Sequence, residues 1–366
     1  MIKLYSNVKG KSKSVDIINF LLQLNQNKGS DLLLAADNPP TMHVNNMFYK
    51  LSERNLTAEE VEALITPIIR KEELEELKQT RELDTSYQDE ISRYRINLHY
   101  QRGSIGATIR RIPREIPSLE QLKLPTAVKT FTTLVRGLVL VTGPTGCGKS
   151  TTQAAMIDSI NNSKAAHIVT VEDPIEFVHT SKLAFIEQRE VGIDTNSFSE
   201  ALKRSLRQIP DVVLVGEMRD LESIQMAVTA AETGHLVIST LHTQDAVQSI
   251  DRIIDAFPPH HQPQIRTQLS LTLQGIICQQ LITRKDGKGL IGAFEILIAT
   301  PAVRNIIRKG ATQDIYSMIE LGSQFGMQSM DYSLQQLYQN NIICRDDALN
   351  FAISRERMEK MLSASA

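Results

Sequence analysis

Apolar residues gather in short unbroken runs over the second half of the chain and alternate with polar ones over part of the first. The runs 138–141 (LVLV), 167–171 (HIVTV), 212–215 (VVLV) and 235–240 (HLVIST) are too short for helices and rich in β-branched residues, the pattern of strands buried on both faces. Helical segments lie between them, at 151–160 and at 220–233, the latter opened by Asp220 and stopped by Gly234. This βαβ series predicts an α/β fold with a parallel sheet. Upstream, residues 92–101 (SRYRINLHYQ) set Tyr94, Ile96, Leu98 and Tyr100 against Arg93, Arg95, Asn97 and His99. A turn at 102–104 and a second alternating stretch, 105–110, complete an antiparallel hairpin with an arginine-rich polar side.

Three smaller signals fill in the first part. Residues 30–34 (SDLLL) read as a strand, Asn45-Asn46 as a tight hairpin turn, and Thr57 with Glu60 as a capping box opening a helix that Pro67 interrupts. Pro113, Pro117 and Pro125 disfavour helix at and before their own positions, which marks a linker. The expected organisation is a domain over 1–112, a linker over 113–128 and a second domain over 129–366. A length of 366 residues accommodates two such units.

Charge narrows the partners. Forty Lys and Arg against 42 Asp and Glu leave a net charge of −2, so the global basicity that phosphate-backbone binding requires is missing, and nucleic acid is not expected as a partner. Residues 53–90 carry twelve acids and five bases and 93–123 seven bases and two acids, a swing read as two solvated faces. Cys147, Cys278 and Cys344 are too scattered for a disulfide framework or a zinc site, which fits a reduced cytoplasm. The lysines of 1–14 precede no apolar signal region, and no apolar run approaches the ~18 residues of a membrane span. Any work at a membrane is expected to be by peripheral docking.

The sharpest chemistry follows the run 138–141. Gly143-Pro144-Thr145-Gly146-Cys147-Gly148-Lys149-Ser150, then Thr151, is a complete phosphate-binding loop in its strand–loop–helix context. Glycines let backbone N–H groups curl around phosphates, and the helix N-terminus adds positive potential. Lys149 is expected at the β/γ-phosphates of ATP and the Ser150 hydroxyl on Mg²⁺, with Cys147 as a small filler. The other apolar runs end in polar tips: Glu172-Asp173-Pro174-Ile175-Glu176, Gly216-Glu217, and Leu241-His242-Thr243. Parallel sheets bind ligands at the carboxyl ends of their strands, so Glu217 and Glu176 are the candidates for orienting the attacking water. Gly216 stands where an aspartate is usual, so the contact of Glu217 with Mg²⁺ is expected through water.

At these residues the chain resembles the secretion-ATPase superfamily of type IV pilus and type II/IV secretion systems, and within it the PilT-like pilus retraction ATPases with their PilU paralogues. The resemblance rests on GPTGCGKST (143–151), VEDPIEFVH (171–179), DVVLVGEMRD (211–220), AAETGHLVISTLHT (230–243), the RYR…QRG hairpin, TPAVRNIIRKG (300–310) and GMQSMD (326–331). It implies a RecA-like ATPase domain with a smaller PAS-like α+β N-terminal domain. It also implies a cytoplasmic homohexamer docked at the inner membrane on a pilus platform protein, working with a paralogous retraction ATPase. Glu172 and Asp173 are implied at the nucleotide, and His235 and His242 as catalytic, as are Arg95, Arg102 and Arg110, some of them acting from a neighbouring domain or subunit. The tetracysteine zinc motif of extension ATPases is missing, and Lys309 stands where the retraction branch commonly has an acid. A type IVB or type II secretion ATPase is the nearest alternative; a RecA-like nucleic-acid translocase or a non-catalytic assembly component are the more distant ones. The resemblance further implies that 301–310 serves retraction apart from the nucleotide. Arg304 and Arg308, four residues apart, share a face there and repel unless a partner compensates.

Overall fold

The computed structural model describes residues 16–44, 47–112 and 115–363; the lysine-bearing start, the Asn45-Asn46 turn and Pro113 lie outside the described residues. The chain divides into two compact units, with the boundary between Glu115 and Ile116.

The first unit is a six-stranded antiparallel sheet with helices. Its strands are β1 (Asp31–Leu34), β2 (Thr41–Val44), β3 (Met47–Lys50), β4 (Glu82–Gln88), β5 (Arg93–Gln101) and β6 (Ser104–Ile112), in the order β3-β2-β1-β6-β5-β4. Tyr94, Ile96 and Leu98 of β5 are fully buried against α1 (Ile17–Gln26) and α2 (Ala58–Ile65), which bring Leu21, Leu24, Val61 and Leu64 to the same core. The capping box forms: Thr57 Oγ1 accepts the Glu60 N–H, and the Glu60 carboxylate accepts the Thr57 N–H. A single 3₁₀ turn holding Pro67 ends this helix, and α3 (Lys71–Thr80) follows.

The second unit carries seven strands, β7 (Gly137–Thr142), β8 (His167–Glu172), β9 (Phe185–Glu190), β10 (Val212–Val215), β11 (Leu236–Leu241), β12 (Leu273–Thr283) and β13 (Leu290–Ile298). They run in the order β13-β12-β7-β11-β10-β8-β9, all parallel except the β12–β13 pair. Every residue of β7, β10 and β11 is buried, because helices cover both faces of the sheet and leave no polar side to alternate with. One core layer gathers Val139, Val141 and Ile238 with Ile157 and Ile160 of α5 (Lys149–Ser163) and Phe131 of α4 (Thr126–Thr133). The opposite layer gathers Leu138, Val213 and Val237 with α6 (Phe198–Ser205), α7 (Leu221–Glu232), α8 (Ala246–Asp255), α9 (Gln262–Thr272) and α10 (Pro301–Lys309). Four short helices close the chain, α11 (Ile315–Leu321), α12 (Met330–Gln339), α13 (Arg345–Phe351) and α14 (Arg355–Ser363); α12 to α14 share a core with Ile282 and Ile291. The proline-marked stretch from Ile116 onward belongs to this unit, with Leu119 and Val128 packed in its core.

Candidate functional site

β7 is flanked by β11 and β12, so its carboxyl end opens in the middle of the sheet. The loop 143–148 leaves it there. Gly143 has φ +140°, and a Cβ on it would meet the Gln279 carbonyl oxygen at 2.3 Å; Gly148 enters α5 at φ +88°. Both positions exclude a side chain on conformational grounds. Lys149 Nζ lies back across the loop and donates to the carbonyls of Gly143 (2.8 Å) and Pro144 (3.0 Å). Burial lowers the pKa of this lysine, opposed by the charges of Glu217 and Glu176. Cys147 is buried, and burial raises its thiol pKa, as suits a filler. Ser150 and Thr151 lie in the first turn of α5.

The other strand tips face this loop's edge of the sheet. Glu217 follows β10, where Met218 N–H donates to Thr240 O (3.1 Å) and Thr240 Oγ1 to Gly216 O (2.7 Å), tying the turn to β11. The Glu217 carboxylate is committed on both sides: Oε1 pairs with Arg219, and Oε2 lies 3.1 Å from His242 Nε2. Arg219 also reaches Asp173 (3.6 Å) at the end of β8, so one guanidinium links two tips. Glu172 accepts from Thr170 Oγ1 (2.6 Å) and Gln188 Nε2 (3.1 Å), and burial raises its carboxyl to about 7. The Glu176 backbone N–H also donates to that carboxyl, and the Glu176 charge bears on it and on Lys149.

Lys149, Glu172, Asp173, Glu176, Glu217 and His242 are thus gathered at one edge of the sheet; His235 is not among them. It precedes β11, its carbonyl accepts the Gly137 N–H at the start of β7, and its Nδ1 bonds with Ala230 O (2.9 Å) and Thr233 Oγ1 (3.1 Å). The full length of β11, roughly 20 Å at 3.3 Å per residue, separates it from His242. Within one chain, therefore, His242 lies at the strand tips with the acids and His235 at the opposite end of β11. The arginines of the first unit divide likewise. Arg95 and Arg110 are directly paired across β5 and β6, with Arg110 Nε on Asp31 at 2.9 Å, while Arg102 sits in the turn at the other end of the hairpin with φ +49°.

Arg304 departs further from expectation. Its guanidinium donates to Ser270 O and Leu271 O (2.8 Å each) and to Gln274 Oε1 (3.1 Å), capping the C-terminal carbonyls of α9. It is therefore an anchor between helices rather than one of two exposed cations, and burial lowers its pKa. The helix itself forms as read, with Thr300 at its N-cap, Pro301 in the first turn and Gly310 left-handed after it. Two residues that touch the site carry no signal of their own in the sequence. Gln279 of β12, 3% exposed, accepts from Thr152 Oγ1 (2.8 Å) and donates to Cys147 O (2.6 Å), clamping the phosphate loop onto the neighbouring strand. Arg219 lay inside a quoted motif but carried no assigned part.

A phosphate loop at the centre of a parallel sheet, with acids and a histidine on the adjacent strand tips, defines a P-loop nucleotide-hydrolysing enzyme. The chain belongs to the type II/IV secretion system protein family, whose pattern matches residues 109–324. It is 45% identical to the type IV pilus retraction ATPase PilT of Pseudomonas aeruginosa over 91% of this chain and 97% of that one. It is 40% identical to the type IV pilus ATPase PilU of the same organism over 93% and 90%. The crystal structure of the pilus retraction motor PilT with bound ADP superposes with a TM-score of 0.88 at 41% identity, covering 94% of this chain and 99% of that one. The Legionella pneumophila ATPase DotB superposes at 0.79 with 25% identity, over 98% of each chain. The α/β architecture and ATP hydrolysis expected from the residues therefore stand as those of this chain.

Proposed function

We propose that this chain is a pilus retraction motor, an ATPase whose cycle powers type IV pilus disassembly and twitching. The supporting observation is a phosphate loop with Glu217 held on both oxygens beside it, in a chain alike over nearly its whole length to proteins named for pilus retraction. Lys149 offsets charge building on the transferred phosphoryl, and the loop amides hold the β-phosphate. Glu217, oriented by Arg219 and His242, accepts a proton from the attacking water; Glu176 completes the acidic edge near Lys149.

The donor set fits Mg²⁺, which keeps waters and phosphate ligands and takes few protein groups. The Ser150 hydroxyl would ligate it, and Glu217, with both oxygens already engaged, would hold one of its waters. The ion supplies charge neutralisation for the phosphates. Thr145, Gly146 and Thr151 complete the nucleotide cradle. Among the described residues no helix is long and apolar enough to cross a membrane. On this reading the motor sits in the cytoplasm and delivers force by docking on an inner-membrane platform protein. The working form is a homohexamer, partnered by a paralogous retraction ATPase, in which some of Arg95, Arg102 and Arg110 act on nucleotide held by a neighbouring subunit.

The test is Lys149→Ala, assayed as Mg²⁺-dependent ATP turnover of pure protein and as twitching of the strain. Both are expected to be lost. Turnover near that of the parent protein sinks the ATPase assignment; full turnover by the parent protein with normal twitching in a deletion strain sinks the retraction assignment.

A further inference from the structure

Glu295 of β13 lies outside the nucleotide site and is 1% exposed, yet its carboxyl bears on the segment that carries His242. Oε1 accepts the Ala246 N–H at 2.9 Å, the first amide of α8, which begins four residues after His242. The Met330 N–H, the first amide of α12, also favours the charged carboxyl, as does the Cys278 thiol. Oε2 has no hydrogen-bond partner. One buried carboxyl thus accepts from the N-terminus of α8, which continues the site loop, and feels the start of α12, which opens the C-terminal helical block. Two further contacts bind β13 to that block: Phe294 N–H donates to Ser333 Oγ (3.1 Å), and Gln328 Nε2 to Phe294 O (2.8 Å). On the site side, Thr243 Oγ1 and Ser249 Oγ meet at 2.6 Å, locking the loop to α8.

We propose that Glu295 is a positioning residue that holds the 242–245 loop, and through it the His242–Glu217 contact, in register with the C-terminal helices. This rests on the ATPase reading of the site. Helix N-termini favour the ionised carboxylate, and an ionised acceptor holds an amide more tightly than a neutral one. Burial opposes ionisation, and so does the charge of Asp245, raising the Glu295 carboxyl to about 7. The titratable groups facing it are Asp245 from the loop before α8, Cys278 from β12 and Tyr316 from α11. The hold on α8 therefore tightens as Glu295 loses its proton near neutrality.

The experiment uses the full chain and two substitutions, Glu295→Gln and Asp245→Asn, with kcat and KM for ATP measured from about pH 5.5 to 8.5. Amide hydrogen exchange across 242–250 is measured at pH 8 without nucleotide. Glu295→Gln, a neutral isostere, is expected to keep kcat near the acid-side value of the parent protein throughout, several-fold low at pH 8, with KM within about twofold and faster exchange at the start of α8. Asp245→Asn keeps a helix-capping side chain but removes the repelling charge, so the same inflection is expected at lower pH. Glu172 also titrates near pH 7, so the difference between parent and variants, rather than the parent curve, isolates Glu295. A Glu295→Gln profile that overlays the parent's, an unmoved inflection in Asp245→Asn, or unchanged exchange across 242–250 overturns the proposal. The exchange measurement decides the positioning role even for protein that turns over no ATP, an outcome that would sink the ATPase reading instead.

Discussion

Replacing Gln279 with Ala removes a side chain that touches no substrate, yet it is expected to weaken nucleotide binding. The amide joins two buried groups, the Thr152 hydroxyl and the Cys147 carbonyl, and sits so close to the loop that a Cβ on Gly148 would lie 3.3 Å from its Nε2. Leaving a buried polar group unpaired costs roughly 1–3 kcal/mol. Thr152 has an escape, since its hydroxyl can turn to the carbonyl one helical turn back, as helical threonines do. The Cys147 carbonyl has none, because the residue is 3% exposed and its loop is fixed by Gly143 and Gly148. The net loss is therefore about 1–3 kcal/mol and a loop that no longer aims its amides at one point, and the part of that loss borne by nucleotide binding raises KM for ATP about tenfold for each ~1.4 kcal/mol. Steady-state ATP turnover and thermal melting check this together. A melting temperature and KM both equal to the parent's refute the claim that Gln279 clamps the loop.

The remaining expectations concern charge. Glu217→Gln should bind nucleotide normally, measured by fluorescence with a labelled analogue, while hydrolysing at least ~100-fold more slowly, because a positioned acceptor is lost; if Glu176→Gln is the slow variant instead, the two roles are exchanged. Glu172 has a folded pKa of about 7, raised by burial, so its neutral form is the stabilising one: that contribution is complete below the ordinary glutamate range and is lost as pH rises through about 7. The melting temperature should accordingly fall between about pH 5 and 7.5, and fall less in Glu172→Gln; equal slopes exclude this. Arg304→Ala cuts three bonds to the end of α9, and being half-exposed should cost only about 1–2 kcal/mol, seen as a melting shift of a few degrees with turnover within a few-fold. Unchanged melting shows that the anchor is idle, and abolished turnover shows that it reaches the site.

The phosphate loop was legible because its chemistry is local: eight consecutive residues, a strand before and a helix after, each with its own signature. The strand tips were legible for the same reason, since a buried run followed by an acid marks the carboxyl end of a parallel strand. What lay hidden depends on pairings across the chain. Gln279 meets Cys147 over 132 residues, and only the parallel register of β12 on β7, Cys278 opposite Thr142, brings them together. His235 lies apart from His242 for the opposite reason. It shares a contiguous motif with His242, but a strand carries the ends of a motif apart where a loop would fold them together. Arg304 looked like an exposed cation because a helix's own sequence shows its face and not the neighbouring helix end that fills it.

The placement of the three cysteines has a practical side. Cys147 and Cys278 are enclosed, and burial pushes both thiols up, away from the thiolate that alkylating reagents and peroxide attack. Cys344, at the N-cap of α13, is the partly open one. A maleimide dye added to the unmodified chain should settle there, leaving the catalytic loop untouched, so each chain can carry one reporter without a single engineered cysteine.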